Sequence, residues 1–348
     1  MASYDPRAVS SVILDEATPD IVVTGRSLGV RAASSAELGL LLLLILFCVG
    51  FATFTHGFTS PFNLFALSRT GAVNILIGLS MMTVIVTGGL DLSIGAIGVA
   101  SAMMAGWLMQ EQGASLAEGI LAALVTGALL GLINGQLIVR AGMHSFVVTL
   151  ATMSVFFGAM IVLTRAQPYN DLPADFAGFA RLRYDRVISP MLAVSGGAAI
   201  LLFVLYRYTA IGRAMLAVGA SPRAARMSGI AVPRTITVCH ALAGLLASLA
   251  GLMLAMRNGA AIPSMAGNLG QDWLLPAFLG PVLGGVLLSG GRTSVAGVVL
   301  GALLVTVLNS GLLLLSVGEF WVQFFLGALL LGAVLIDKAR QQVLLGLR

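Results

Sequence analysis

The stretch GAVNILIGLSMMTVIVTGGLDLSIG, Gly71–Gly95, decides what kind of protein this is. An apolar run ends at Thr87, two glycines interrupt it, and a second apolar run begins at Leu92 with almost no polar loop between them. Apolar residues cover all sides of each run. A membrane-barrel strand would show alternation over about ten residues. Runs of this length, apolar all round, are helices that satisfy their own backbone groups in lipid. The stretch therefore belongs to a bundle of membrane-crossing helices.

Outward from it, ten apolar segments follow one another, at 37–56, 67–87, 92–110, 116–139, 145–164, 188–207, 237–256, 272–289, 293–315 and 319–336. Composition agrees: 58% of the 348 residues are hydrophobic and 9% are charged, against about 25% charged in soluble domains. The expected fold is all-α, a polytopic membrane protein of about ten transmembrane helices. The second and eighth segments are the ones expected to be broken or re-entrant. Recurrent glycines, Gly127, Gly131 and Gly135, then Gly297 and Gly301, predict close helix packing. An internal echo, Gly88-Gly89-Leu90-Asp91-Leu92-Ser93 against Gly284-Gly285-Val286-Leu287-Leu288-Ser289, leaves open a structural repeat.

The arginines orient the bundle. The loop after the sixth segment carries Arg207, Arg213, Arg223, Arg226 and Arg234 and no acid, whereas 165–187 mixes arginines with Asp171, Asp175 and Asp185. The positive-inside rule then places both termini in the cytoplasm, N-in and C-in. Residues 1–35 form a cytoplasmic tail, 36–337 the membrane domain with a cytoplasmic loop at 208–236, and 338–348 a second tail. The net charge of +5 reflects this insertion bias; nucleic-acid binding would need a basic face. Cys48 and Cys239 lie inside apolar runs and are packing residues.

Three places carry chemistry. In Thr87–Gly95, Gly88 and Gly89 end one helix, and Asp91 or Ser93 can cap the next. An ionisable Asp91 near the membrane is costly in lipid, so it is either a cap at a tight cytoplasmic turn or part of a conduction path or gate. In the basic loop, Ser221 is suited to an N-cap, Pro222 to the first helical position and Gly229 to a left-handed stop. This predicts a short cytoplasmic helix of about two turns, either a docking element or a solvated linker. Asp272 opens the eighth segment as a helix cap or as part of a substrate vestibule, with Trp273 at the interfacial belt. Asn134 and Asn309 lie in apolar helices, where each serves helix–helix bonding or sugar binding. No metal motif and no nucleophile–base pair is present. The chain's one lysine, Lys338, follows no P-loop, so no ATP is held in that way and any pumping energy comes from another subunit.

At these segments the chain resembles the ribose-type permease subunits of bacterial ABC sugar importers, over roughly 37–337. Gly88-Gly89-Leu90-Asp91-Leu92-Ser93-Ile94-Gly95 is similar to the family's Gly-Gly-x-Asp-Leu-Ser-x-Gly signature. Gly212-Arg213, Gly219, Ala224-Ala225 and Ser228-Gly229-Ile230 resemble its cytoplasmic loop, and Phe146–Leu150 and Gly284–Gly297 also fit. The chain departs from the pattern at Ala220-Ser221, Gly280-Pro281 and His144-Ser145. The resemblance implies a multi-pass protein of the bacterial cytoplasmic (inner) membrane, importing a monosaccharide or related polyol. It implies a second permease copy, two ATPase subunits that hold ATP and Mg, and a periplasmic sugar-binding protein. The helix around 222–228 would be the coupling helix. Arg213, Ser221, Pro222, Arg223, Ala224, Ala225 and Gly229 would serve ATPase coupling; Gly88, Gly89, Asp91, Ser93, Asn134, Asp272 and Asn309 would line the path or gate. No catalytic residue, cofactor or metal is expected on the chain. The alternatives are a branched-chain amino-acid permease, an ion-coupled secondary carrier, and a membrane scaffold or passive channel.

Overall fold

The computed structural model of the chain describes residues 25–346. Residues 1–24 of the expected N-terminal tail, with Leu347 and Arg348 of the C-terminal one, lie outside the described residues. Thirteen α-helices follow in order: α1 Gly25–Phe54, α2 Pro61–Ile85, α3 Ile94–Glu111, α4 Leu116–Ala141, α5 Ser145–Thr164, α6 Ala174–Arg181 and α7 Pro190–Tyr208. Then come α8 Ala210–Ala220, α9 Pro222–Met227, α10 Val232–Asn258, α11 Leu274–Leu283, α12 Val295–Leu314 and α13 Glu319–Gly346. A 3-10 turn, Asn268–Trp273, precedes α11.

All ten apolar segments contain helix. Seven helices, among the described residues, are long and apolar enough to cross a membrane: α1, α2, α4, α5, α7, α10 and α12. Just before the eighth segment, 272–289, Leu269 and Gly270 leave helical geometry, and the segment itself holds a helix of only ten residues. That is about 15 Å of rise, half the hydrocarbon thickness. The second segment is a continuous helix of 25 residues; the break comes after it, at 86–93.

Helix ends follow local chemistry. Ser60, Ser115, Ser189 and Ser294 each accept a backbone N–H of the helix they precede. His144 caps α5 in the same way through Nδ1. Ser115 and Glu118 form a reciprocal capping box.

The bundle centres on α2 and α10, whose apolar windows are 67% and 72% buried, against 11% for α1. Small residues permit this. A Cβ on Gly127, Gly131 or Gly135 of α4 would strike the α10 backbone at Gly244, His240 and Thr237. Gly297 and Gly301 of α12 likewise lie on the backbones of Gly284 and Gly280. Buried hydrogen bonds join the same helices: Ser80 Oγ donates to the Ala243 carbonyl at 2.8 Å, and Asn74 Nδ2 to Thr306 Oγ1 at 2.9 Å.

Helix α7 leads from one end of the bundle to the α8–α9 projection, and α10 leads back. Near the start of α7 the Ser189 N–H donates to Ser68 Oγ of α2, and Arg257 at the finish of α10 meets Arg69 and Thr70 of α2. Those contacts mark the end opposite the projection. There the segment after α5 is tied to the one after α10 by paired backbone bonds between Tyr169 and Ala261.

Candidate functional site

The break after α2 lies inside the bundle. Helix α2 stops where Gly88, at φ +79°, turns into a conformation that a Cβ disfavours; its N–H donates to the Ile85 carbonyl at 2.8 Å. Gly89 N–H still reaches the Val84 carbonyl at 3.3 Å; the chain then runs outside any helix until α3 begins at Ile94. Backbone amides at this depth need partners, and side chains supply them. Leu90 N–H donates to Ser145 Oγ at 2.9 Å, Leu92 N–H to Thr149 Oγ1 at 3.1 Å, and Ser93 N–H to Asp91 Oδ1 at 2.9 Å. Ser145 and Thr149 sit one turn apart on α5, facing the break together.

Asp91 is 0% exposed. The turn that carries it is buried, because the backbone folds inward between α4 and α5. Its Oδ1 also accepts Ser93 Oγ–H at 2.6 Å. Asn134 of α4 donates through Nδ2 to Ser93 Oγ at 2.7 Å and to Asp91 Oδ2 at 3.5 Å. Neither side chain caps α3 as expected: the carboxylate grips the N-cap residue Ser93, and no side chain accepts an N–H of the first helical turn. Asn134 bonds between helices, one of its two readings. Its Oδ1 is buried without a partner.

The structure brings Gly88, Gly89, Asp91, Ser93 and Asn134 together. It leaves Asp272 and Asn309 elsewhere, both exposed. Asp272 folds over Gly267, whose missing side chain leaves room for the carboxylate. The irregular stretches before α3 and before α11 nonetheless meet. A Cβ on Gly95, in the first turn of α3, would overlap the Gly270 carbonyl oxygen. Gly270, Ser145 and Thr149 are participants not singled out from sequence. Nothing in the sequence picks Ser145 and Thr149 out from Thr152, Ser154 and Thr164 of the same segment.

The projection forms as its sequence dictates. Ser221 Oγ accepts the Ala224 N–H at 3.3 Å, Pro222 takes the first position, and Gly229 stops the helix at φ +81°. Arg213 donates to the Tyr208 carbonyl at 3.3 Å, bracing α8 against the end of α7. Pro222, Arg223, Ala224 and Arg226 are exposed, and Met227, missed in the sequence, is 84% exposed. Ala225, expected among the contact residues, is 3% exposed and packs against Val218 and Val232. A helix one and a half turns long must turn one residue inward to stay attached, and Ala225 is that residue.

Projection and break are in direct contact. A Cβ on Gly219, at the end of α8, would strike both the Val86 carbonyl oxygen and the Gly291 nitrogen. Gly291 N–H in turn donates to the Val86 carbonyl at 2.9 Å. The internal echo is thus a physical neighbour: Gly88 lies 3.1 Å, measured from an ideal Cβ, from the Ser289 carbonyl. From Val86 the chain reaches Asp91 in five residues.

A cavity of about 400 Å³ between α3, α4 and α5 is lined by Met103, Met104, Trp107, Phe156, Met160 and Tyr169 among others. This lining does not suit a polyhydroxylated ligand. No cluster of three or more His, Cys, Asp or Glu that could hold a metal occurs among the described residues.

Residues 63–334 match the family described as branched-chain amino acid transport system / permease component. The chain is 38% identical over 315 residues to the ribose import permease protein RbsC of Bacillus subtilis, covering 90% of this chain and 94% of that one. It is 32% identical over 312 residues to the fructose import permease protein FrcC of Rhizobium meliloti, with 86% and 84% covered. Against the galactose/methyl galactoside import permease protein MglC of Escherichia coli it is 32% identical over 306 residues, with 81% and 88% covered. No solved structure matches. With a membrane bundle built around the Gly88–Gly95 signature and a family match spanning most of its length, the chain belongs to this family of transport-system permease components.

Proposed function

We propose that this chain is the membrane subunit of an ABC importer that moves a monosaccharide or related polyol inward, driven by ATP and Mg held on separate ATPase subunits. A permease component is not itself an enzyme, and this one works as a gate. The reading places both termini in the cytoplasm, with the ten apolar segments crossing or entering the membrane, in the bacterial inner membrane. A second copy of the chain completes the pathway, and a periplasmic binding protein delivers the sugar. The relatives named for ribose, fructose and galactose favour a sugar over a branched-chain amino acid.

The observation that carries the mechanism is the contact of Gly219 with Val86 and Gly291. Arg223, Ala224 and Met227, with Arg213 behind them, meet the ATPase. When the nucleotide dimer closes, the projection moves, and the backbone at 86–93 receives that displacement without an intervening side chain. Asp91, Ser93 and Asn134 hold the moving end of α3 to α4, so the displacement reaches the bundle interior. Asp272, just before α11, and Asn309, exposed on α12, contribute to the external approach of the sugar.

The test is uptake by proteoliposomes containing the permease, the neighbouring ATPase and the binding protein, with ribose, fructose, galactose and leucine as competitors. Uptake that requires ATP and is competed by a sugar supports the reading. Competition by leucine moves the chain to the amino-acid alternative. Uptake that survives ATP depletion and collapses with an uncoupler refutes the ABC mechanism.

A further inference from the structure

At the end of the bundle away from the projection, four arginines converge. Arg69 stands on α2 and Arg257 in the last turn of α10; Arg181 ends α6, and Arg183 follows two residues later. Arg69 Nη2 donates to the Arg257 carbonyl at 2.7 Å, and Arg257 Nη1 donates to Thr70 Oγ1 at 3.2 Å. The guanidinium carbons of Arg69 and Arg183 lie 5.4 and 4.5 Å from the centroid of one buried ring, Phe65. Arg257, Arg181 and Arg183 surround Arg69 with like charge. Arg69 Nε is shut away from solvent with no acceptor.

The cluster is electrostatically incomplete. Arg181 and Arg183 are exposed, but Arg69 and Arg257 are half-buried, and guanidinium groups withdrawn from water are costly unless an anion faces them. Insertion bias accounts for arginines in cytoplasmic loops and gives no reason for a cluster at the other end. A planar guanidinium fork fits a phosphate or a carboxylate. The adjoining surface decides which. Leu182, Tyr184 and Ile188 are exposed and interleave with Arg181, Arg183 and Arg186, with one acid, Asp185, in the same stretch, and Phe62 of α2 is exposed as well. Apolar and aromatic side chains alternating with arginines match the boundary between headgroups and acyl chains.

We propose that Arg69 and Arg257, with Arg181 and Arg183 beside them, hold the phosphate of an anionic phospholipid headgroup. The site uses no part of the substrate or coupling assignment, so its failure would leave that assignment standing.

The test uses the full chain in detergent, exchanged against phosphatidylglycerol or an uncharged galactolipid, with retained lipid read by native mass spectrometry. A separate arm contains inorganic phosphate and no lipid. The wild type is expected to retain phosphatidylglycerol and not the galactolipid. Retention falls about tenfold in Arg69→Gln and in Arg257→Gln, the loss expected for one charge-assisted hydrogen bond. Arg69→Lys recovers part of it, and Arg186→Gln changes nothing. Circular dichroism checks that each variant folds; if Arg69→Gln does not, the surface variant Arg183→Gln carries the test with a smaller drop. Equal retention by wild type and folded variants overturns the proposal. So does stabilisation by inorganic phosphate equal to that by the lipid. Weaker binding of the periplasmic binding protein to Arg69→Gln, with lipid retention unchanged, overturns it too and reassigns the surface to protein docking.

Discussion

Thr149 shows how much rests on one hydroxyl. It donates to the Ser145 carbonyl of its own helix at 2.8 Å and accepts the Leu92 N–H across the bundle at 3.1 Å. Thr149→Val keeps the shape and leaves the Leu92 amide unpartnered. We expect a loss of about 1–3 kcal/mol, read as a lower thermal midpoint in detergent; an unshifted midpoint would refute the role. Gly95→Ala should prevent folding, because its Cβ would overlap the Gly270 carbonyl, whereas Gly158→Ala, with open space around it, should be harmless. Yield of monodisperse protein separates the two. Asp91 could be found from sequence because a carboxylate among apolar residues is conspicuous. Ser145 and Thr149 could not, since a lone hydroxyl in a helix commonly bonds its own backbone, as Thr164 does to Met160. Only the fold reveals which hydroxyls also serve a neighbour.

Among the elements, α9 was the most readable. Its cap, first-position proline and terminal glycine are local signals, and each took its expected place. The inward side of α9 was not readable, because six residues are too few for an apolar stripe to show. The consequence is a changed experiment. Ala225→Glu would bury a charge against Val218 and Val232 and should lose the ATPase by unravelling the projection. Met227→Glu puts the same charge on the exposed tip and should lose the ATPase with the projection intact. Protease resistance of the 208–236 segment, measured alongside ATPase co-purification, distinguishes these outcomes. Normal ATPase binding by Met227→Glu would remove the tip from the interface. Ser221→Ala, which deletes the cap, should cost about 1 kcal/mol and weaken co-purification only partly.

For the whole molecule, hydropathy located ten apolar segments, and all ten contain helix. It did not distinguish the seven helices that, among the described residues, are long and apolar enough to cross a membrane from the eighth segment with its ten-residue helix, because it sums composition and is blind to the path of the backbone. At 259–273, between two apolar segments, the chain enters the bundle as an irregular segment, with Gly270 against Gly95. The arginine pattern gives an orientation that labelling can check. With Cys48 and Cys239 replaced, Arg183→Cys should react with an impermeant maleimide from outside intact cells. Met227→Cys should react only after the membrane is opened. Both reacting from one side would exclude the proposed topology.

The amides of Leu90 and Leu92 depend on hydroxyls that lie 55 and 57 positions further along the chain. During synthesis the break therefore emerges well before its partners exist. Until α5 has left the ribosome, releasing α2 and α3 into hydrocarbon would strand polar backbone there, at several kcal/mol per group. The first half of this protein should consequently linger in the hydrated shelter of the insertion machinery and reach the lipid as a unit of five helices. A nascent chain cut after Ala141 should be cleared quickly by membrane proteases, whereas one cut after Thr164 should persist.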